Sequence, residues 1–227
     1  MKDFDPRAGW IYHSVDLFAR WCFRIFFRVQ VMGLENIPGD RPFLIVANHR
    51  SFLDPPLAVC FLRRKIAILA RGSLFRFGPF GRFLKILGSI PLERGAPDRQ
   101  ALLLGTQALE KGAPLLIFPE GTRNPGEGLL PFQRGFLLMP KKTGVPVVLA
   151  AIEGTGRALP KGSLFPRLFR RVRIRYSEPI PAEEVLQLGA EGLRRRLLEM
   201  LQEGDRSHSG SPASSDPGNP GPGKAAK

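Results

Sequence analysis

The sequence predicts an α/β fold: a single-domain, layered mixed sheet with flanking helices, preceded by an N-terminal amphipathic helix suited to a membrane surface. Three observations lead there. Short, unbroken apolar runs at 43–47, 66–70, 115–118 and 147–152 have the length and composition of strands buried on both faces. Stretches with helical periodicity fall between them, the alternation of layered α/β proteins. A chain of 227 residues with 43% hydrophobic content can also bury one sizeable core. The expected division is a helical segment over 1–32, the α/β domain over 33–203 and a tail over 204–227. That tail is rich in Gly, Ser and Pro and lacks apolar anchors, so it is expected to be disordered.

The first element is a helix over 10–29. Ile11, Val15, Phe18, Cys22, Ile25 and Val29 share one stripe, flanked by Trp10, Leu17, Trp21 and Phe26, with His13, Asp16, Arg20, Arg24 and Arg28 opposite. Arginines facing a broad Trp/Phe surface suit a helix lying at headgroup level; a core-facing helix with a solvated arginine edge has the same pattern. Asp3, Asp5 and Asp16 stand where a secretion signal needs a basic start and a clean apolar core, and no run of about 18 uncharged apolar residues occurs. The expectation is a chain that does not span a bilayer. A formal charge of +14 calls for an anionic partner: nucleic acid, an acidic membrane or a phosphorylated substrate. No RNP-like or helix-turn-helix pattern interleaves the arginines, so nucleic acid is not the expected partner. Cys22 and Cys60 belong to no Cys-x-x-Cys or Cys/His cluster, which indicates neither a metal site nor a disulfide framework and fits a reducing compartment.

After Gly33 and Pro38-Gly39, the strand over 42–47 delivers Asn48-His49-Arg50-Ser51-Phe52-Leu53-Asp54-Pro55. Imidazole is the side chain whose ordinary charge change falls near neutrality, and it takes a proton well when its other nitrogen is held in one tautomer. If the chain turns after the strand and enters a helix at Pro55, Asp54 can provide that hold across the turn, and the missing triad member is a hydroxyl of the substrate. Ser51 lacks the Gly-x-Ser-x-Gly elbow of a protein nucleophile. Asp54 before Pro55 is also what an ordinary helix start looks like. A helix over 55–62 follows, closed by Arg63-Arg64-Lys65, then the strand over 66–70 and a Phe/Gly-rich segment to Gly88.

Gly88 to Arg94 leads into a helix over 98–111 and the strand over 115–118, which runs into Pro119-Glu120-Gly121-Thr122-Arg123. Arg94 and Arg123 each leave a strand-like segment beside a glycine. Together they suit a phosphate, which charge-assisted and bidentate bonds recognise, and Gly121 lets backbone approach closely. The run over 147–152 is a further buried strand. Residues 172–176 alternate apolar and arginine as a half-exposed edge strand does. The densely basic stretch 161–175 fits a membrane-facing or donor-binding patch, and equally a solvated loop and sheet edge. A closing helix over 181–202 has Val185, Leu188, Leu193, Leu197 and Leu201 as its buried side.

Four blocks in order carry a resemblance over about residues 30–180: Asn48-His49 with Asp54; Gly88 to Arg94; Phe118-Pro119-Glu120-Gly121-Thr122-Arg123; and Val145-Pro146-Val147-Val148. They resemble the glycerolipid acyltransferases of the bacterial 1-acylglycerol-3-phosphate acyltransferase type. The resemblance implies acyl transfer from acyl-CoA or acyl-carrier protein to the sn-2 hydroxyl of lysophosphatidate, forming phosphatidate, with a relative acylating another lysolipid or amino-lipid hydroxyl as the alternative. By the same resemblance His49 is the general base and Asp54 its orienter. Arg94, Glu120, Gly121, Thr122 and Arg123 make the phosphate site, and Val145 and Pro146 line the acyl-binding region. An activated thioester needs no metal and no cofactor beyond itself as co-substrate, and the first helix with its arginines is expected to dock a peripheral enzyme on the anionic cytoplasmic face of the cell membrane. One position departs from the pattern: Gln133, in Leu130-Pro131-Phe132-Gln133-Arg134-Gly135, stands where relatives often carry lysine, and its amide donates hydrogen bonds without charge.

Overall fold

The structure, a computed structural model, describes residues 10–62, 64–71, 88–92, 98–163 and 165–209, together with Gly78 and Arg82. Among these residues seven strands form one sheet: β1 Val29–Met32, β2 Leu44–Ala47, β3 Ala67–Arg71, β4 Ser89–Leu92, β5 Leu115–Ile117, β6 Val147–Glu153 and β7 Val172–Tyr176, in the order β1-β7-β6-β2-β5-β3-β4. From β6 across to β4 every pairing is parallel, β7 is antiparallel to β6, and β1 runs parallel to β7. The sheet is mixed, as the sequence predicts. The α-helices among the described residues include α1 Trp10–Phe27, α2 Asp54–Cys60, α3 Asp98–Glu110, α4 Leu138–Thr143, α5 Thr155–Ala158 and α6 Ala182–Ser209.

Strand side chains alternate between faces, so one strand feeds two cores. In β2, Leu44 and Val46 pack with Leu109, Met139, Leu193 and Leu197 from α3, α4 and α6. Phe43, Ile45 and Ala47 pack with Phe23, Phe27, Leu57 and Phe61 from α1, α2 and the turn after it. All four β2 residues are fully buried, which is why this strand appears in the sequence as a continuous apolar run. At about 1.5–3 kcal/mol for each large apolar side chain removed from water, these two layers fix the sheet and with it the place where His49 leaves it.

Several expectations shift. The first helix ends at Phe27, not at residue 29: Arg28 takes a positive φ of 41°, and Val29 opens β1 opposite Val172. Among its described side chains Phe23 and Phe27 are buried, Phe18 and Ile25 of the expected stripe are exposed and Cys22 is half-buried; the side chains of Ile11 and Val15 lie outside the described ones. Strand β7 is not an edge strand, because β1 covers it. Its polar face is compensated from elsewhere: Arg173 and Arg175 each approach a Glu153 carboxylate oxygen at 3.3 Å. Helix α6 continues to Ser209 across a break at Gly189, whose φ is 63°. Residues 204–209 are therefore helical rather than disordered, and 210–227 lie outside the described residues.

Candidate active site

The carboxyl ends of parallel strands are where open α/β sheets collect their ligands, and His49 leaves β2 at that end. The last ladder pair of β2 with β6 is Ala47 with Ala150. Asn48 then closes the ladder with its side chain, accepting the Ile152 N–H and donating to the Ile152 carbonyl, both at 2.8 Å. Its amide copies a strand backbone. The next residue, His49, therefore emerges in one fixed direction.

Asp54 opens α2 but does not cap it in the ordinary way. One of its oxygens, Oδ2, accepts the Arg50 N–H at 2.6 Å, the Ser51 N–H at 2.7 Å and His49 Nδ1 at 3.0 Å. The side chain thus points back into the loop it follows. Because Oδ2 already accepts two backbone N–H groups, the imidazole contact calls for a proton on Nδ1, which leaves the Nε2 lone pair as the available base. Asp54 is fully buried, and its Oδ1 has no hydrogen-bond partner among the described residues. The carboxylate thereby holds the imidazole in one tautomer and one orientation, with Nε2 turned away from it.

The turn after β5 grips the same histidine from the other side. Phe118 stacks on the His49 ring with centroids 4.2 Å apart. Glu120 accepts the His49 N–H on Oε1 and the Leu130 N–H on Oε2, both at 2.9 Å, and the Asn124 N–H donates to the His49 carbonyl at 2.7 Å. Both halves of the His49 backbone are therefore held by one turn, which is tightened by the Gly121 N–H to Phe118 carbonyl bond at 3.0 Å. Gly121 has a positive φ of 68°, so a side chain there is strained, and an added Cβ would press on Gln133.

The phosphate residues implied by the resemblance divide. Arg123 lies over the exposed Phe52 ring, its guanidinium carbon 3.7 Å from the centroid, and its carbonyl accepts a bond from Lys161 Nζ at 3.2 Å. Lys161 thus reaches the Arg123 backbone, while the Arg123 guanidinium lies over Phe52. Thr122 is exposed on the same turn. Glu120 does not fit the role: it is 6% exposed and both oxygens are taken by backbone N–H groups, so it positions His49 rather than facing an anion. Arg94 lies outside the described residues.

Val145 and Pro146 are not brought to His49. Val145 is buried in the core, and the Pro146 carbonyl accepts the Leu44 N–H, at the amino end of β6. At about 3.3 Å per residue along the strand they sit roughly 20–25 Å from His49. Ser51 is also accounted for, its hydroxyl donating to the Leu159 carbonyl at 2.8 Å and accepting the Leu53 N–H at 3.2 Å, a structural pin and not a nucleophile. Sequence reasoning passed over Asn48, Asn124 and Phe118 as parts of this site, and singled out neither Phe52 nor Lys161. Only Asn48 and Phe118 left a trace, as neighbours of the His49 and Pro119-Glu120-Gly121 motifs.

A protein-family model described as Acyltransferase matches residues 28–153. The chain is 33% identical over 181 residues to the chloroplastic 1-acyl-sn-glycerol-3-phosphate acyltransferase LPAT1 of Arabidopsis thaliana, covering 78% of this chain and 51% of that one. To the 1-acyl-sn-glycerol-3-phosphate acyltransferase of Bacillus subtilis it is 28% identical over 189 residues, covering 78% and 90%. The crystal structure of the 1-acyl-sn-glycerophosphate acyltransferase PlsC of Thermotoga maritima superposes with a TM-score of 0.72 at 30% identity, covering 90% of this chain and 82% of that one. The chain spans about half the length of the plant relatives it matches.

Proposed function

The chain belongs to the Acyltransferase family, and from that premise we propose that it transfers an acyl group from acyl-CoA or acyl-carrier protein to the sn-2 hydroxyl of 1-acylglycerol-3-phosphate, forming phosphatidate. The observation that carries this reading is the His49–Asp54 pair at the carboxyl end of β2, with Arg123 on the turn that holds His49. Nε2 takes the proton from the acceptor hydroxyl as its oxygen attacks the thioester carbon. The tetrahedral intermediate then collapses, the C–S bond breaks, and the imidazolium returns the proton to the leaving thiolate. A thioester is already activated, so a positioned base and an anchor for the acceptor carry the reaction without a protein nucleophile. Arg123 is that anchor, with Lys161 held on its backbone carbonyl, and a phosphomonoester is an acceptor group that arginine recognises through charge-assisted hydrogen bonds.

The acceptor and the protein meet at a membrane in this reading. No helix among the described residues is long and apolar enough to cross a bilayer. Helix α1 nonetheless turns Leu17, Phe18, Trp21 and Ile25 to solvent, at 68%, 65%, 57% and 43% exposure, on the side away from the buried Phe23 and Phe27. Arg24 and Arg28 are exposed at the end of the same helix, Arg24 with its guanidinium 5.8 Å over the Phe61 ring. Aromatic and aliphatic tips flanked by arginine suit the anionic cytoplasmic face of the cell membrane, with the helix lying flat.

A second reading, an acceptor with a less charged headgroup, is favoured by one observation: Gln133 touches the Gly121 turn where relatives often carry lysine. The purified chain should be given acyl-CoA and acyl-carrier protein in parallel with lysophosphatidate and with lysolipids bearing larger headgroups. Phosphatidate as the main product supports the first reading, preference for another lysolipid supports the second, and thiol release without any lipid product rejects acyl transfer to lipid altogether.

A further inference from the structure

The stretch between α5 and β7 is left over from the site and the sheet. Phe165, Leu168 and Phe169 are 81%, 44% and 60% exposed, and Arg167, Arg170 and Arg171 are interleaved with them on the exposed chain. Single exposed apolar side chains are ordinary, whereas three within five residues, set among arginines, make a patch that water does not explain. Phe169 also adopts a φ of 60°, a conformation bulky residues avoid unless the surroundings impose it.

What imposes it is the tie to α1. The Phe169 N–H donates to the Phe26 carbonyl at 2.5 Å, in the last turn of the helix whose outer side carries Leu17, Phe18, Trp21 and Ile25. The other end of the stretch is fastened to the site: the Leu159 carbonyl accepts the Ser51 hydroxyl, the Arg167 N–H donates to the Ala158 carbonyl, and Lys161 reaches the Arg123 carbonyl. At its exit the Arg171 carbonyl lies so close to Gly154, whose φ is 83°, that a Cβ there would run into it. One exposed segment therefore links the last turn of α1 to the loop that carries His49.

We propose that residues 165–171 are a second bilayer-insertion element, with Phe165, Leu168 and Phe169 entering the anionic lipid surface beside α1, so that the His49 site opens onto the membrane. The inference rests on the membrane-docking reading of α1. Lipid is the occupant the chemistry selects, because a soluble phosphorylated donor has use for the arginines but none for three solvent-facing apolar tips, while an anionic bilayer matches both.

Two measurements test it on the full chain. In a Cys22→Ser background, Phe165→Cys and Trp21→Cys each carry an environment-sensitive fluorophore and meet vesicles of mixed phosphatidylglycerol and phosphatidylcholine containing shallow nitroxide-labelled lipid. Both probes are expected to shift to the blue and to be quenched. If the probe at 165 stays in water while the one at 21 is quenched, the inference falls and docking through α1 stands; if both stay in water, both fall. In the second measurement Arg167→Gln combined with Arg170→Gln is expected to weaken partition onto the mixed vesicles roughly thirtyfold, from two residues near an anionic surface, with turnover of detergent-dispersed substrate unchanged. A raised donor KM with unchanged partition would assign the stretch to the acyl donor and overturn the proposal.

Discussion

At the carboxyl end of β2 the side chains of Asn48, Asp54 and Glu120 are buried and bonded to backbone groups, whereas along α1 and residues 165–171 leucine, phenylalanine and tryptophan stand in solvent. The first region is complete in itself. Its polar atoms leave His49 little freedom, which is how a site keeps a reacting group in place before substrate arrives. The second gains its main partner only outside the molecule, since an apolar face costs free energy in water and returns it on burial. The two should therefore fail differently: damage near His49 lowers turnover in any medium, and damage to the outer face is seen only where a lipid surface is present.

The sharpest test of that separation is His49→Ala, expected to lower kcat by about 100- to 10,000-fold on vesicles and in detergent alike while the melting temperature holds. Asp54→Asn should come close, because the amide removes the negative charge that faces His49 Nδ1 and leaves an N–H₂ group where Oδ1 has no partner. Near-normal turnover of the alanine variant would remove His49 from the chemistry. On the other region, Phe18→Ser combined with Trp21→Ser deletes two exposed insertion side chains. At about 1.5–3 kcal/mol for each one fully buried, partition onto anionic vesicles should drop by at least about a hundredfold, with detergent activity intact. An equal loss in detergent would mean α1 acts through the fold.

Arg123→Ala probes the border between the regions. Loss of a charge-assisted contact worth about 1.5–3 kcal/mol should raise the acceptor KM by roughly ten- to a hundredfold and leave the donor KM nearly unchanged. Glu120→Gln should do the reverse. It keeps one carbonyl oxygen for two backbone N–H groups, so His49 is held less firmly and kcat falls by roughly tenfold, while the acceptor KM stays put. A Glu120 variant that changed only acceptor KM would return this carboxylate to the ligand site.

How much of this was legible in the sequence follows from how local each feature is. β2 and β6 showed themselves because both faces are buried, and His49 with Asp54 because the pair closes within a single turn. The grip of Glu120 on His49 spans 71 positions and leaves no local pattern. Strand β1 is only four residues long and follows α1 directly, so Val29 looked like one more helical position. The arginines of β7 suggested a solvated edge because their partner, Glu153, comes from the neighbouring strand and not from the same segment. For Val145 and Pro146 the motif was real, but motif order carries no information about which end of a strand it occupies.

The smallest expected effect lies between the two regions, at Tyr176 in β7. Its hydroxyl donates to the Ala58 carbonyl of α2 at 3.0 Å, tying the strand next to β1 to the helix that begins with Asp54. Burial, with a lesser contribution from Cys60, pushes this hydroxyl well above its ordinary value of 10.0. The folded value is raised above the unfolded one, so the stability Tyr176 contributes is fully present below about pH 10 and is lost as pH climbs further, where the unfolded chain ionises first. Tyr176→Phe should cost about 1 kcal/mol near neutrality, a shift of roughly 2–4 °C in melting temperature for a domain of this size. The variant should also lose stability less steeply than the parent above pH 10. Turnover in detergent and vesicle binding should both survive, because the bond fastens the layers together without touching His49 or the outer face. If either function drops while the melting temperature barely moves, the two regions are coupled through α2, and the separation drawn between them does not hold.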